Sequence, residues 1–438
     1  MEAHLWFNKR ALLLVTALIL LLQGSSTFHT SLSILAYSMI HSSETEKDVT
    51  TLNEMNDEME KEVLFLPHLY RFKVAVVGSG NFGTAVAQRV ALNAMENTMI
   101  DPTVKMWVFE EVYEGRNLTE IINNDHMNPK YLPGIALPTN VIAISDLHET
   151  CRDADVLLFV LPHQFLPHVL KELKGATKQN IIAVSLIKGL KFTTKGPVLL
   201  SEMIMKELGL STCAVLMGAN VASEVARGDF VESTVACDDK RVAKIVQNIF
   251  NSKQFRVDCC TDVVTVELCA ALKNVVAMAA GFCDGMNQGA STKAAVIRQG
   301  LFEMAEFSKL FGQSFEVSTL FRSCGVADLI ATCFGGRNRL CAEEFIHRLK
   351  NHAPTGRSSK DDDALEKLWC DIEKDLLHGQ KLQGLDTTDE AISCLKFKGF
   401  YDSNNKSNGS NSNKFPLFKR IYAIARLGEK PETLFDWE

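Results

Sequence analysis

No Cys-x-x-Cys pair occurs in the 438 residues, and no cysteine–histidine cluster has zinc-finger spacing. That removes the common structural zinc folds and the thioredoxin-like redox motif. The 12 cysteines are spread along the chain and lack the density of a small disulfide framework, and the adjacent Cys259 and Cys260 are poorly placed to share a ligand or bridge. They read as reduced, small apolar fillers, which points to a reducing compartment. An excess of positive charge is missing too. The formal net charge of −7 argues against non-specific nucleic-acid binding and leaves room only for local cationic clefts suited to an anionic metabolite. There is no internal repeat. The N-terminal apolar run at 11–22 (ALLLVTALILLL) stops short of the roughly 20 residues that span a bilayer.

That run follows Lys9 and Arg10 and precedes Gln23-Gly24-Ser25-Ser26, the layout of a signal peptide's charged and apolar regions. A weaker apolar stretch at 32–40 keeps a signal anchor open, and a start codon assigned too far upstream is a third reading. Membrane contact is expected only if the run is retained. The sequons at Asn117, Asn405 and Asn408 matter only on the secretory reading. Residues 41–66 are polar and acidic without an apolar face and read as a linker.

What is present begins at KVAVVGSGNFGTAVAQRV, residues 73–90. An apolar strand runs into Gly78-Ser79-Gly80-Asn81-Phe82-Gly83 and a helical pattern follows. Gly78 permits a tight turn, Gly80 lets a pyrophosphate approach the backbone, and Gly83 lets helix and strand pack closely. The phosphates would face the helix N-terminus. Strand–turn–helix is the context that turns a lone glycine fingerprint into a dinucleotide site.

At this length two domains plus extensions are expected, and 46% hydrophobic with 23% charged residues suits a globular protein. From residue 71 strands and helices alternate, the signature of a parallel α/β sheet. Strands are expected at 73–77, 104–109, 141–144, 156–160, 181–185, 213–217 and 232–237, with a short edge strand at 255–257. Near 258 the pattern becomes helical, and VTVELCAALKNVVAMAAGFCDGM is apolar almost all round, as a buried helix is. The expected architecture is therefore a 71–258 dinucleotide-binding domain and a mostly α-helical 259–438 domain, with polar, disordered loops near 351–364 and 402–414.

At the end of the second expected strand, Glu110 or Glu111 can accept hydrogen bonds from ribose hydroxyls and would repel a 2′-phosphate, which favours NAD over NADP. No arginine directly follows; Arg116 is the nearest. The fourth strand ends at Pro162, with His163 a structural residue and Phe165 free to pack on a cofactor. The reacting groups are sought among charges in apolar or glycine-rich surroundings: Lys188 in SLIKG, Lys273 and Asn274 in ALKN, Asp328 in GVADL, and Arg337 to Arg339 in GGRNR. Lys273 is the sharpest. On a helix apolar all round, a lysine must find an anion, reach water or lose its proton, and burial lowers its pKa toward that of a proton donor near neutrality. Gly335-Gly336-Arg337 reads as an anion cradle.

Together GSGNFG, WVFEE, YLPGIALP, LPHQF, SLIKG, LMGANVASEVA, ALKNVVA, GFCDG, TKAAVIR, CGVADLIATCFGGRNR and GQKLQG resemble the NAD-dependent glycerol-3-phosphate dehydrogenases of the eukaryotic cytosolic kind, over about residues 71–438. The resemblance implies an N-terminal Rossmann domain with a doubly wound sheet, a C-terminal all-α domain, a homodimer, a cytosolic enzyme and reversible reduction of dihydroxyacetone phosphate to sn-glycerol 3-phosphate with NADH. It places Lys273 as proton donor/acceptor, Lys188 on the substrate and Asp328 in the catalytic hydrogen-bond network. Arg337 and Asn338 fall on the substrate phosphate, with Asn274 and Thr332 in the same pocket. The glycine loop with Phe109, Phe165, Ala222, Arg337, Lys381 and Gln383 surrounds the dinucleotide. Phe82 stands where relatives often carry tryptophan. Two rivals remain at this level: a dehydrogenase for another hydroxyacid or polyol phosphate, and a non-enzymatic NAD(H)-sensing module for which Lys273 and Arg337 would be dispensable.

Overall fold

The computed structural model describes residues 71–193, 196–311, 315–351, 359–377, 381–401 and 414–437. All lie within one compact unit, His68–Glu438. The apolar run at 11–22, the acidic stretch at 41–66, the sequons at Asn405 and Asn408 and most of the two polar loops fall outside the described residues.

Eight strands form one sheet: β1 (Phe72–Val77), β2 (Ile100–Trp107), β3 (Val141–Ile144), β4 (Val156–Phe159), β5 (Ile182–Ser185), β6 (Ala214–Met217), β7 (Val231–Ala236) and β8 (Phe255–Cys260). Their spatial order is β8-β7-β6-β5-β4-β1-β2-β3. Neighbours are parallel except β6 and β7, which are antiparallel. The central strands β4 (VLLF) and β6 (AVLM) are buried at every position, as parallel strands covered on both faces must be. The chain reverses its direction of travel across the sheet between β1 and β4, the place where doubly wound sheets open a crevice at their carboxyl ends.

Two strands differ from expectation by more than one residue at an end. β2 starts earlier than 104 and stops before Phe109. Its pairing with β1 jumps from Phe72–Ile100 to Val74–Val104. The bulge so formed contains Pro102, whose nitrogen has no proton for the ladder. The edge strand β8 runs three residues beyond 257, because all six of its residues pair with β7.

Helix α1 (Asn81–Glu96) follows β1. Its Asn93 amide donates to Ile249 O at 3.0 Å and Phe250 O at 2.9 Å, tying α1 to the end of helix Lys240–Phe250. A short helix α2 (Leu118–Asp125) flanks β3.

The sheet gives way to α3 (Val263–Gly285), buried along nearly its whole length, which accounts for an apolar surface on every side. It is long and apolar enough to cross a membrane, yet here it is a core helix. Around it lie α4 (Ala290–Lys309), α5 (Asp328–Gly335), α6 (Arg337–Asn351) and α8 (Gln383–Phe397), and α7 (Ser359–Leu377) and α9 (Pro416–Leu427) complete the helical part. A Cβ on Gly281 would lie 2.2 Å from Arg339 O, and one on Gly285 2.6 Å from Ile346 Cβ, so these glycines set how closely α6 approaches α3. Phe345 of α6 stacks on Trp369 of α7 at 4.1 Å between centroids. The polar stretch expected as a loop through 364 is already helical at Ser359. Three aspartates at 361–363 lie near that helix N-terminus, where the dipole favours negative charge.

The N-terminus of α9 is held from inside the core. Glu303 of α4 is buried and its carboxylate accepts from Leu417 N at 2.8 Å and Phe418 N at 2.9 Å. Replacement by alanine strands both donors in an apolar core. Glu303→Ala is expected to lower unfolding free energy by about 3 kcal/mol, read as a lower urea midpoint with an unchanged slope.

Candidate active site

The glycine turn has the geometry a pyrophosphate requires. Gly78 adopts φ +125°, and a Cβ there would lie 2.4 Å from Val160 O at the end of β4. A Cβ on Gly83 would strike Gly78 O at 2.2 Å, whereas one on Gly80 would meet no heavy atom within 4 Å. Glycine is thus demanded by packing at two positions and leaves open space at the third. No side chain caps α1, so its first amides stay available to an anion. The turn is braced from behind: Ser79 O accepts from Thr84 Oγ1 and from Asn128 Nδ2, both at 3.0 Å, and Asn81 Nδ2 donates to Tyr131 O at 2.7 Å. Phe82 is partly buried against the sheet core. These features fit a bound NAD. Phe109 is 69% exposed and Phe165 56% exposed, and Ala222 opens the helix Ala222–Arg227.

The ribose acceptor expected at Glu110 is not free. Its carboxylate accepts from Thr119 N at 3.2 Å and Thr119 Oγ1 at 2.5 Å, capping α2. Glu111 accepts from Tyr131 OH at 2.5 Å and pairs with Lys130. Arg116 is engaged by Asp125 at 2.6 Å and Glu120 at 3.1 Å. The acidic corner is spent on local structure. His163 packs its ring against Gly189, and burial lowers its pKa, consistent with a structural place beside the Lys188 loop.

At the carboxyl edge of the sheet, two lysines share one buried carboxylate. Asp328 opens α5 after a π-helical turn, Ser323–Ala327. Its Oδ1 accepts a short hydrogen bond from Lys273 Nζ, and its Oδ2 accepts from Lys188 Nζ at 3.1 Å. Lys273 also donates to Thr332 Oγ1 at 2.9 Å, and Thr332 in turn donates to Asp328 O at 2.7 Å. Lys273, Asp328 and Thr332 are buried, and Lys188 is half-buried. An ammonium has three N–H donors. Two of those on Lys273 are used, and the third has no partner among the described residues. Burial is the main reason the Lys273 pKa falls to about 7; Asp328 opposes the shift and Lys188 adds to it.

One residue along α3, Asn274 Oδ1 accepts from Asn338 Nδ2 at 2.8 Å, and Asn338 Oδ1 accepts from Gly384 N at 2.9 Å. Asn274 Nδ2 is buried and has no hydrogen-bond partner, as a donor reserved for a ligand would be. Arg337 begins α6 beside Asn338 and is exposed, while Arg339 is held by Asp284 at 2.5 Å and Glu343 at 3.0 Å. The two arginines of GGRNR therefore differ: Arg339 is structural. Lys381 donates to Glu373 Oε2 at 3.2 Å, which raises its pKa; Gln383 starts α8.

Lys188 has two partners that the sequence reading did not single out: Gly218 O at 3.0 Å and Asn220 Oδ1 at 3.1 Å, from the loop after β6. Asn220 is oriented by Ser233 Oγ at 2.8 Å. Ser323 bridges Ala219 N and Glu232 O. The available signal was position, since Gly218-Ala219-Asn220 leaves the carboxyl end of a central strand.

Two family models match the chain: the NAD-dependent glycerol-3-phosphate dehydrogenase N-terminus over residues 73–243 and the corresponding C-terminus over 262–436. The chain belongs to the NAD-dependent glycerol-3-phosphate dehydrogenase family. Cytoplasmic glycerol-3-phosphate dehydrogenase [NAD(+)] of Drosophila virilis is 46% identical over 367 residues, 84% of this chain and 96% of that protein. The human protein of the same description is 48% identical over 358 residues, 82% of this chain and 94% of its own length. The solved structure of the Saccharomyces cerevisiae glycerol-3-phosphate dehydrogenase superposes with a TM-score of 0.72 at 38% identity, covering 84% of this chain and 99% of that one. The fold and the dehydrogenase class therefore stand as the sequence indicated.

Asn220→Ala removes one acceptor from the Lys188 ammonium, worth about 1.5 kcal/mol for a bond to a charged group. Steady-state kinetics are expected to record a fall of about tenfold in kcat/KM for dihydroxyacetone phosphate.

Proposed function

We propose that Lys273 is the general acid and base in the family reaction, the reversible reduction of dihydroxyacetone phosphate to sn-glycerol 3-phosphate. The carrying observation is the buried Lys273–Asp328–Lys188 cluster, with one ammonium donor unclaimed. The glycine turn, Gly78 to Gly83, would hold NADH, which would supply the hydride to the carbonyl carbon when bound. Lys273 gives its free proton to the oxygen as negative charge develops there, and in the reverse direction neutral Lys273 takes the proton from the alcohol. Asp328 holds both lysines through separate oxygens, so neither ammonium swings away during transfer. Lys188 adds positive potential near the developing alkoxide. Arg337 and Asn338 at the start of α6 bind the substrate phosphate, with Asn274 and Thr332 in the same pocket. Anchoring a group remote from the reacting carbon fixes its orientation and lowers the barrier.

Around the dinucleotide we place Gly78, Ser79, Gly80, Asn81, Phe82, Gly83, Phe109, Phe165 and Ala222, with Arg337, Lys381 and Gln383 approaching from the helical side. On this reading residues 71–258 bind cofactor and 259–438 supply the acid and the phosphate site. A homodimer is part of the same proposal. Exposed Ile330 and Phe334, one turn apart on α5, and Phe302 on α4 offer apolar surface for it. The curated relatives are cytoplasmic by name, and the cytosol is the compartment assigned to this enzyme.

With Lys273→Ala, turnover is expected to be lost while NADH fluorescence titration stays near the parent value; near-parent turnover would remove the acid. Arg337→Ala is expected chiefly to raise KM for dihydroxyacetone phosphate. The pH dependence has a definite sign. Reduction needs protonated Lys273, so its kcat/KM falls as pH rises through about 7; oxidation needs the neutral amine, so its kcat/KM rises through the same pH. Opposite limbs in the two directions are the expected result of stopped-flow or steady-state profiles.

A further inference from the structure

At the C-terminal end of α1, away from the glycine turn, lies a groove of about 940 Å³. That is within the size range of small-ligand sites. Leu92 and Met95 of α1 give it an apolar wall and are 36% and 59% exposed. Arg89, Arg227 and Lys253 also line it, and Glu96 is its one carboxylate. Arg227 already pairs with Asp229 at 2.7 Å.

Arg89 is the anomaly. It is only 6% exposed, and its Nη2 donates to Val225 O at 3.2 Å. Its Nε is buried without an acceptor. Among the described residues no carboxylate lies within ion-pair distance of it. A guanidinium keeps its charge at neutral pH, and a largely buried charge without a counter-ion is costly. Lys253, an exposed lining residue of the groove, has no ion-pair partner among the described residues.

We propose that this groove binds a small amphiphilic anion, a carboxylate or phosphate monoester whose charged end meets Arg89 and Lys253 and whose hydrocarbon part lies along Leu92 and Met95. The apolar wall favours such a ligand over a bare ion, and the net cationic lining favours an anion over a neutral amphiphile. Nothing in this assignment rests on the Lys273 cluster or the glycine turn.

Isothermal titration of the full chain with decanoate, decyl phosphate and inorganic phosphate tests it and separates the two headgroups. Saturable one-to-one binding of decanoate or decyl phosphate is expected. Arg89→Gln is expected to weaken it about tenfold and Lys253→Ser about threefold, from loss of charge-assisted contacts, with amphiphile-free turnover unchanged. If Arg89→Gln does not fold, Lys253→Ser and Leu92→Ser decide. Absence of saturable binding to the parent chain at millimolar ligand overturns the site. So does parent-like affinity in the variants that fold. Inorganic phosphate binding as tightly as decyl phosphate overturns the amphiphile assignment.

Discussion

A single buried carboxylate holds the chemistry in place. Asp328 accepts one lysine on each oxygen, Lys188 from the loop after β5 and Lys273 from the middle of α3. The first comes from the sheet, the second from the central helix, and the acid itself from the start of α5. The three charges are kept together in a region where an unpaired one would be expensive. The arrangement is not neutral: two ammonium groups face one carboxylate. Burial first, with Lys188 adding to it, lowers the Lys273 pKa to about 7 against the opposing pull of Asp328. On the mechanism proposed above, a substrate phosphate in the same cleft brings negative charge that offsets part of that excess positive charge and favours protonated Lys273.

The carboxylate works only because α3 and its neighbours are packed to fine tolerance. Gly281 and Gly285 let α6 approach α3 closely, and that approach brings Asn338 within hydrogen-bond distance of Asn274. Gly384 completes the junction. A Cβ there would lie 2.9 Å from Asn338 Oδ1 and 3.0 Å from Asn274 O, and its amide donates to the same Asn338 oxygen. The Asn274–Asn338 pair is thus positioned by backbone proximity among three helices, and Lys273 by the Asp328 bridge. Both ends share α3, which places Lys273 and Asn274 side by side.

The strand–turn–helix at 73–90 was legible because its demands are local: Gly78 and Gly83 are forced by backbone contacts within a few residues or with the neighbouring strand. Lys273 was legible for the opposite reason, as a charge that the surrounding apolar helix could not tolerate without purpose. The eight strands of the sheet were each marked in the sequence, but β2 and β8 differed in extent because pairing with a neighbour, not local composition, set their ends. Glu110 misled. Its position after β2 suits a ribose acceptor, yet Thr119 lies close enough to claim it, a fact that depends on how the chain folds back into α2. Asn220 was overlooked because a lone asparagine in a loop carries no sign of a partner distant in sequence. That Arg339 is tied to Asp284 and Glu343 depends on helix phase and on a partner distant in sequence, which GGRNR alone does not show.

Helix α3 carries a second displaced group, and the contrast with it explains why Lys273 is the one suited to chemistry. Burial raises Glu267 to about 7, just as it lowers Lys273 to about 7. The cause is shared, but the partners are not. Glu267 accepts from Leu200 N at 2.5 Å, Ser201 N at 3.2 Å and Ser201 Oγ at 2.6 Å, so its oxygens are committed to capping the helix Leu200–Leu208. Its protonation state matters to how that helix is held against α3. Lys273 has a donor left over and lies beside Asn274, whose buried Nδ2 is also without a partner. A shifted pKa therefore does not identify a catalytic group by itself; on the proposed mechanism the unclaimed Lys273 donor is what distinguishes it from Glu267, whose oxygens are already engaged.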